Sequence, residues 1–520
     1  MGANMSTNLG FMDIGTNSIR LMLVKINPNG SRTLMREEKE VVRLGEHEFG
    51  TGLLHPVAMK RTAIVCKRFV EAARSYGVTE IHTVATSAMR DARNRNDLLQ
   101  VLEKEIAPDV SVISGKEEAR LIYLGVSSGV QIGNNPSLFI DIGGGSTEIS
   151  AGDQYDHSYL DSIKLGAIRV STLFPGNEAD GTVDLGTYSE MKDFCRKKLV
   201  KTRMLLEGGK WEYVFGSSGT IQNLAEISGK LFGGGTGMGG MMLGLKDLRK
   251  VSGHLRELPL VERREVPGIN PSRADIIVGG AAVLETVMEE LGVEELITSK
   301  RGLRHGLMID VLTRKGLYPK EGMSVRYRSV LHLARGCNFD EDHSKKVQEL
   351  TLDLFDSAGE IGLHDLGGED RELMEHAALL HDIGNLISFR KHHHHTYYII
   401  MNSELLGFNM KEVTILANVT RYHRKRAPKE KDLKTDGLDS RSRQKVRVMA
   451  AMLRLAENLD RAHRGLIKKA RFVDMKDGEA LLKVEAGEDC QLERWGINSN
   501  RDIFREMVGY DLKADFVSCR

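Results

Sequence analysis

One hexapeptide pattern occurs twice in this chain, and no other feature constrains its fold as much. Asp13-Ile14-Gly15-Thr16-Asn17-Ser18 and Asp141-Ile142-Gly143-Gly144-Gly145-Ser146 share Asp-Ile-Gly-x-x-Ser at identical offsets. Apolar runs flank each copy, residues 9–13 and 19–24 around the first, 138–142 and 147–151 around the second. Short apolar runs bounded by Gly, Asn and Ser read as β-strands joined by tight turns. A repeat of such a unit predicts two similar α/β halves facing one another. Between the copies the pattern predicts helices over 58–76, 97–106 and 117–126 and strands over 81–85 and 110–114. Beyond the second copy it predicts a strand over 213–215, a turn over 216–220 and a helix over 221–227. An Ala-rich helix over 274–291 and a strand over 296–299 close that half.

After about Leu312 the strand signals stop and helical periodicity takes over, at 330–334, 344–355, 372–381, 398–401, 413–422 and 446–459. Of the 17 histidines, 11 lie in this part, including the run His392 to His395, which reads as partly a metal or phosphate site and partly surface. Strands return after Ala470, where Lys476-Asp477-Gly478 joins 471–475 to 480–484 as a hairpin. The chain of 520 residues is too long for one core, and the divisions fall at 1–130, 131–312, 313–465 and 466–520. Lys+Arg 73 against Asp+Glu 72 excludes a wholesale basic nucleic-acid binder. Five scattered cysteines without a CxxC predict free thiols in a reducing, cytoplasmic setting. The first residues lack the basic and apolar regions of a signal peptide, and their loose Met-Gly-x-x-x-Ser myristoylation pattern is too short to carry weight. The uncharged run 121–140 is interrupted by Gly, Ser, Asn and Pro136, so it predicts helix, loop and strand rather than a membrane span.

Turns after β-strands point successive backbone N–H groups into one concavity, which suits an oxyanion. Gly143, Gly144 and Gly145 permit close approach of a phosphate, and Gly15, Thr16, Asn17, Ser18 and Ser146 extend the same arrangement. Asp13 and Asp141 end their strands at equivalent positions, where two carboxylates beside two phosphate nests suit a divalent cation. Ordinary glycine hairpins are the alternative, and the matched pair favours phosphate. Glu117-Glu118 opens a helix after Ser114, either as a cap or as a carboxylate oriented toward water. Arg90 follows the strand 81–85 as a phosphoryl clamp or a solvated helix residue. No Gly-x-x-x-x-Gly-Lys-[Ser/Thr] or HExxH exists. The Gly235-Thr-Gly-Met-Gly-Gly240 match to GxGxxG reads as a flexible loop. Gly125-Val-Ser-Ser-Gly129 follows a helix rather than a strand and implies no nucleophile elbow.

Six segments in order closely resemble the exopolyphosphatase/guanosine pentaphosphate phosphatase family. They are Met12-Asp-Ile-Gly-Thr-Asn-Ser-Ile-Arg-Leu21, Ala85-Thr-Ser-Ala-Met-Arg-Asp-Ala-Arg-Asn94, Ile113-Ser-Gly-Lys-Glu-Glu-Ala-Arg-Leu-Ile122, Asp141-Ile-Gly-Gly-Gly-Ser-Thr-Glu148, Phe215-Gly-Ser-Ser-Gly-Thr220 and Arg301-Gly-Leu-Arg-His-Gly306. The resemblance implies duplicated actin-like (ribonuclease-H-like) α/β domains with a site in the cleft between them. It implies Mg²⁺ (or another divalent cation) and hydrolysis of terminal phosphate from inorganic polyphosphate, or of the 5′-γ-phosphate of pppGpp. By the same resemblance, Glu118 is the general base, Arg90 the clamp, Asp141 a catalytic carboxylate, and Asp13, Asp141 and Glu148 the metal side of the site. The helical part resembles the all-α HD domain of longer members, followed by a small α+β segment. There His343, His381, Asp382 and Asp460 match the HD pattern and imply a second metal, with His395 and His423 as further ligands. The basic segments 421–431 and 441–447 fit a polyanion path. The expectation is a cytoplasmic homodimer without nucleic-acid or membrane partners. An alarmone-binding sensor coupled to the HD domain, and a kinase on the same scaffold, are the alternatives from other classes.

Overall fold

The structure is a computed structural model and describes residues 6–46, 48–106, 110–318, 324–403, 405, 408–487 and 489–518. The N-terminal myristoylation pattern and Cys519 fall largely or wholly outside these residues. The chain divides into two compact units, Met1–Val325 and Arg326–Arg520.

The first unit contains two sheets. One is built from β1 (Thr7–Ile14), β2 (Ser18–Ile26), β3 (Arg32–Val41), β4 (Glu80–Ala85) and β5 (Val110–Val112), in the order β3-β2-β1-β4-β5. The other contains β6 (Ser137–Ile142), β7 (Thr147–Gly152), β8 (His157–Ile163), β9 (Tyr213–Ser217), β10 (Thr236–Gly237), β11 (Gly240–Gly244) and β12 (Glu295–Thr298). Its order is β10-β11-β12-β9-β6-β7-β8. Strands β8-β7-β6-β9-β12 therefore repeat β3-β2-β1-β4-β5, with antiparallel pairs on one side of the central strand and parallel pairs on the other. The register repeats as well. Asp13 faces Arg20 across β1 and β2, and Asp141 faces Glu148 across β6 and β7.

Strands β3 and β8 sit at sheet edges and carry charged side chains, so they lack the apolar pattern that marks a buried strand. The GxGxxG match is not a flexible loop. It is a hairpin in which Thr236 pairs with Met241 and Gly237 with Gly240, turned by Met238 and Gly239 at positive φ. The turn expected over 216–220 is also absent, because β9 runs straight into the helix Ser218–Phe232. The helix Leu303–Arg314 follows the second half in sequence but packs on the first. Leu307, Ile309 and Leu312 share a core with Leu9, Phe11 and Val24. It crosses the helix Gly115–Ser127 at glycines, since a Cβ on Gly125 would strike the Gly302–Gly306 backbone and one on Gly306 would strike Leu121. That crossing is the structural use of Gly125 in the nucleophile-elbow match.

The second unit contains helices including Glu341–Glu360, Gly368–Leu380, His392–Met401, Met410–Arg421 and Ser440–Leu459. A sheet follows, β13 (Ile467–Lys476), β14 (Glu479–Ala486) and β15 (Asp511–Ser518). The expected hairpin is β13-β14, turned by Asp477 and Gly478 at positive φ, and β15 adds parallel to β14. Phe472, Leu482 and Val484 lie in the same buried core as Leu350, Leu379 and Leu453, so one core runs through both sides of the division placed at 465/466. Much of the basic surface is paired within the unit: Arg426 meets Asp432 at 2.6 Å and Arg443 meets Glu430 at 2.5 Å. Less charge is thereby open to a polyanion than the sequence implies. Among the described residues, no helix is long and apolar enough to cross a membrane.

Candidate active site

The repeated turns close in the same way. Gly15 N–H donates to the Ser18 carbonyl at 3.1 Å, and Gly143 N–H to that of Ser146 at 2.9 Å. Both turns line one cleft between the halves, together with Asp13, Asp141 and Glu118. Glu118 is brought there by the helix Gly115–Ser127, whose N-cap is Ser114, accepting from the Glu117 N–H at 3.2 Å. Ser114 supplies the side-chain cap that the sequence offered to the glutamates. Glu117 turns to Arg120, while Glu118 is buried and accepts from Arg90 Nη1 at 2.8 Å.

Burial dominates the electrostatics. It pushes Asp13 up to about 6, with Arg20 and Arg304 opposing. It pushes Glu118 up to about 7 against the pull of Arg90. Asp141 is also raised by burial, opposed by the Ser217 hydroxyl that donates to its Oδ2. Glu148 lies well above the carboxylate range, from burial and then from the charges of Glu118 and Asp141. Carboxyl groups so arranged resist ionising together unless a cation joins them. Asp13 Oδ1 is buried without a hydrogen-bond partner, and hard oxygen donors suit Mg²⁺. The residues present therefore fit a divalent ion.

Arg90 and Glu148 stand behind this cleft rather than lining it. Arg90 holds Glu118 and the Ile113 carbonyl, and Glu148 accepts from Ser162 at 2.7 Å. The cations that do line the cleft include Arg20, Arg273 and Arg304, none of which was singled out from sequence. Arg20 carried a usable signal: it lies seven positions after Asp13, as Glu148 does after Asp141, so the repeat puts a cation in one half and a carboxyl in the other. Arg273 reaches Thr220 at 3.3 Å from a short 3₁₀ turn, and no sequence signal links those positions. Ser218, at φ 88°, also lines the cleft, at the start of a 15-residue helix whose N-terminus favours an anion.

The second unit gathers its own cluster. His381, His392 and His423 each direct Nδ1 at a backbone carbonyl, of Ala378, Phe389 and Thr420 respectively. A carbonyl only accepts, so Nδ1 carries a proton and Nε2 is the nitrogen each ring turns toward the cluster. His343 places Nδ1 on Asp460 Oδ2 at 2.8 Å. Ligand atoms of His343, His381 and Asp382 converge, as do those of Asp382, His392 and His423. His392, not His395, joins His423. Asp460 sits at the back of His343, its Oδ1 taken by the Gly465 N–H at 2.8 Å. Glu457, missed in the sequence, faces inward, with Oε2 3.2 Å from His343 Nε2 and 3.5 Å from His381 Nε2. His343 Nε2, His381 Nε2, Asp382 Oδ1 and Glu457 Oε2 are all buried without a hydrogen-bond partner.

Paired anion turns, strand-end carboxylates and a buried glutamate in an inter-lobe cleft are the apparatus of a phosphoanhydride hydrolase. The chain belongs to the Ppx/GppA phosphatase family, whose profile matches residues 23–315, with the Ppx/GppA phosphatase domain III profile over 325–501. The first match begins within β2, after the Asp13 turn. Among solved structures, the chain is similar to an exopolyphosphatase from Cytophaga hutchinsonii, with 26% identity and a TM-score of 0.54, over 60% of this chain and 99% of that one. An exopolyphosphatase-like protein gives the same values. The Ppx/GppA family member of Aquifex aeolicus matches with 25% identity and a TM-score of 0.50, over 60% of this chain and 99% of its own. The first unit accordingly has the actin-like fold of this family.

Proposed function

We propose that the cleft removes the terminal phosphoryl group of inorganic polyphosphate, with the 5′-γ-phosphate of pppGpp as the second substrate to compare. The observation that carries this reading is Glu118, a buried carboxylate held by Arg90 and facing Asp13 and Asp141 between two anion turns. Glu118 orients a water and takes its proton as the water oxygen bonds to the terminal phosphorus and the bridging P–O bond breaks. The turn amides and the cleft arginines stabilise the charge on the phosphoryl oxygens. Asp13 and Asp141, with Glu148 behind them, would hold Mg²⁺, which supplies charge neutralisation when bound. Phosphate release from long-chain polyphosphate and from pppGpp, run in parallel with and without Mg²⁺, tests the assignment. Release from neither substrate would favour the alarmone-sensor reading.

A second metal belongs to the same proposal. The mixed nitrogen and oxygen donors of His343, His381 and Asp382, with Glu457 beside the two imidazoles, suit a transition ion in an HD-type domain, with Asp460 orienting His343. Four buried free cysteines support a cytoplasmic location. The expected homodimer is tested by sedimentation.

A further inference from the structure

Two Arg–carboxylate pairs meet at one short helix of the first half, and only one of them belongs to the machinery above. The helix Ser87–Asp91 carries Arg90, which holds Glu118. Its last residue, Asp91, accepts from Arg169 Nη2 at 2.8 Å, and its other oxygen pairs with Lys164 Nζ at 2.9 Å, both cations coming from the second half. Arg169 belongs to the helix Ala167–Leu173 of the second half and also donates through Nε to the Gly145 carbonyl at 2.7 Å. One guanidinium thus spans the phosphate turn of one half and the helix behind the base in the other. Its face lies 4.0 Å from the centre of the Phe49 ring. Side-chain exposure is 12% for Arg169 and 11% for Asp91, so the pair is largely shielded from solvent screening.

The surroundings make this a closing contact rather than a surface bridge. A Cβ on Gly145 would come within 2.6 Å of Ser87 Oγ and 2.7 Å of Phe49, so the turn packs against the first half at glycine. The N–H groups of Ala167, Ile168 and Arg169 hold the carbonyls of Gly143 and Gly144 at 2.9–3.1 Å. The turn and its helix therefore move as one piece, and Arg169 fastens that piece to Asp91.

We propose that Arg169 is a positioning residue: with Asp91 and Phe49 it clasps the two halves and sets the Gly143–Ser146 turn in register with the Arg90–Glu118 pair. The inference rests on hydrolysis in this cleft only for its kinetic readout. A displacement of about 1 Å between phosphate and base costs on the order of 10²-fold in turnover, while the groups that bind phosphate remain in place. Lysine retains the charge but not the fork that reaches Asp91 and Gly145 together.

Three variants, Arg169→Gln, Arg169→Lys and Asp91→Asn, and the double variant Arg169→Gln/Asp91→Asn test the clasp. Phosphate release from polyphosphate and from pppGpp is measured with saturating Mg²⁺. Arg169→Gln and Asp91→Asn are each expected to lower kcat by roughly 10- to 100-fold with KM changed less than about threefold. Arg169→Lys falls between them and wild type, and the double variant loses no more than the worse single one. Spin labels at Val57→Cys and Val200→Cys, exposed helix positions in the two halves, report the inter-lobe distance without needing turnover. Their distance distribution should broaden in Arg169→Gln. A rise in KM with kcat retained would make Arg169 a substrate contact and overturn the proposal, as would additive losses or an unchanged distance distribution. If Arg169→Gln fails to fold, Asp91→Asn, which keeps its shape, decides by both readouts. Wild-type protein silent on both substrates would sink the substrate reading, and the distances would still decide the clasp.

Discussion

In the first unit, buried Glu118 and Glu148 and half-buried Asp13 and Asp141 lie near one another, and loss of solvent raises each of them toward the neutral form. In the second unit the carboxylates alternate with imidazoles. Burial alone would raise Asp382 and Glu457, but His381 beside the first and His343 beside the second hold both well below the usual range. His343 in turn rises to about 10 despite burial, through Asp460 and Glu457. In one cluster burial thus outweighs the arginines around the carboxyls, and the other largely neutralises itself. The difference teaches that the first site is built at the expense of the apo fold and is completed by a cation and an anionic substrate, whereas the second already contributes to stability by itself.

The sharpest way to break this contrast is through catalysis. Glu118→Gln keeps the shape and removes the basic carboxylate. A loss in kcat on the order of 10²-fold or more is expected, with little change in substrate affinity. Near-wild-type turnover would remove Glu118 from the role of base. Since burial places Glu118 at about 7, the acid limb of kcat/KM should lie near or below neutrality and move down as Mg²⁺ rises. A limb that ignores Mg²⁺ would mean that the ion and the base do not share a site.

Stability offers the next largest effect, with opposite signs in the two units. A carboxyl whose folded pKa is raised binds more protons folded than unfolded, so stability falls as pH climbs from the unfolded value, about 4, through the folded one. Asp13 and Glu118 fix that window at about 4 to 7 in the first unit. The depressed Asp382 and Glu457 contribute stability that is present above about 4 and lost as pH falls below it. The raised His343 contributes stability present below about 6.5 and lost through about 10. With Trp495→Phe, Trp211 alone reports the first unit, and its apo melting temperature should fall between pH 5 and 7.5 and recover with Mg²⁺. Asp13→Asn should stabilise the apo protein at pH 8 by on the order of 1–3 kcal/mol while impairing hydrolysis. Asp382→Asn should destabilise it by roughly 2 kcal/mol or more, because it strips a buried charge of its partner. The same sign for both substitutions would erase the distinction.

The duplication was legible because its signal is local: two identical motifs whose apolar flanks must be central strands. The register of Asp13 with Arg20 and of Asp141 with Glu148 was implicit in equal spacings. Edge strands β3 and β8 were not legible, since a strand half in water needs no apolar run. Arg273 and Arg304 come to the cleft through long-range folding that spacing does not encode. Glu457 was hidden by its neighbour: in Leu455-Ala-Glu-Asn-Leu-Asp460 the aspartate matched a pattern, while only the helix face shows that Glu457 turns toward His343 and His381.

The smallest effect expected is on the reaction itself when the second cluster is cut. Glu118, Asp13 and Asp141 form a set of acid groups within the first unit, between anion turns that the same unit supplies. Nothing in the chemistry assigned to that set calls for an imidazole. His381→Ala with Asp382→Ala should therefore leave polyphosphate and pppGpp hydrolysis, per folded molecule, within about twofold of wild type. Stability should respond instead. The double change removes His381 together with the carboxylate beside it, so it leaves fewer uncompensated charges than Asp382→Asn alone, but it opens space at buried His381 and half-buried Asp382. It also removes one ligand from the donors that Asp382 shares with His392 and His423, and two from those it shares with His343. Any rise in melting temperature on adding Mn²⁺ to the wild type should vanish in the variant, because an ion that binds only the folded state stabilises it by mass action. Turnover normalised to folded protein, metal content and melting temperature are read on the same samples. Hydrolysis that collapses while Trp211 still reports a folded first unit would make the second cluster part of the reaction, and the contrast between a catalytic cluster and a stabilising one would have to be abandoned.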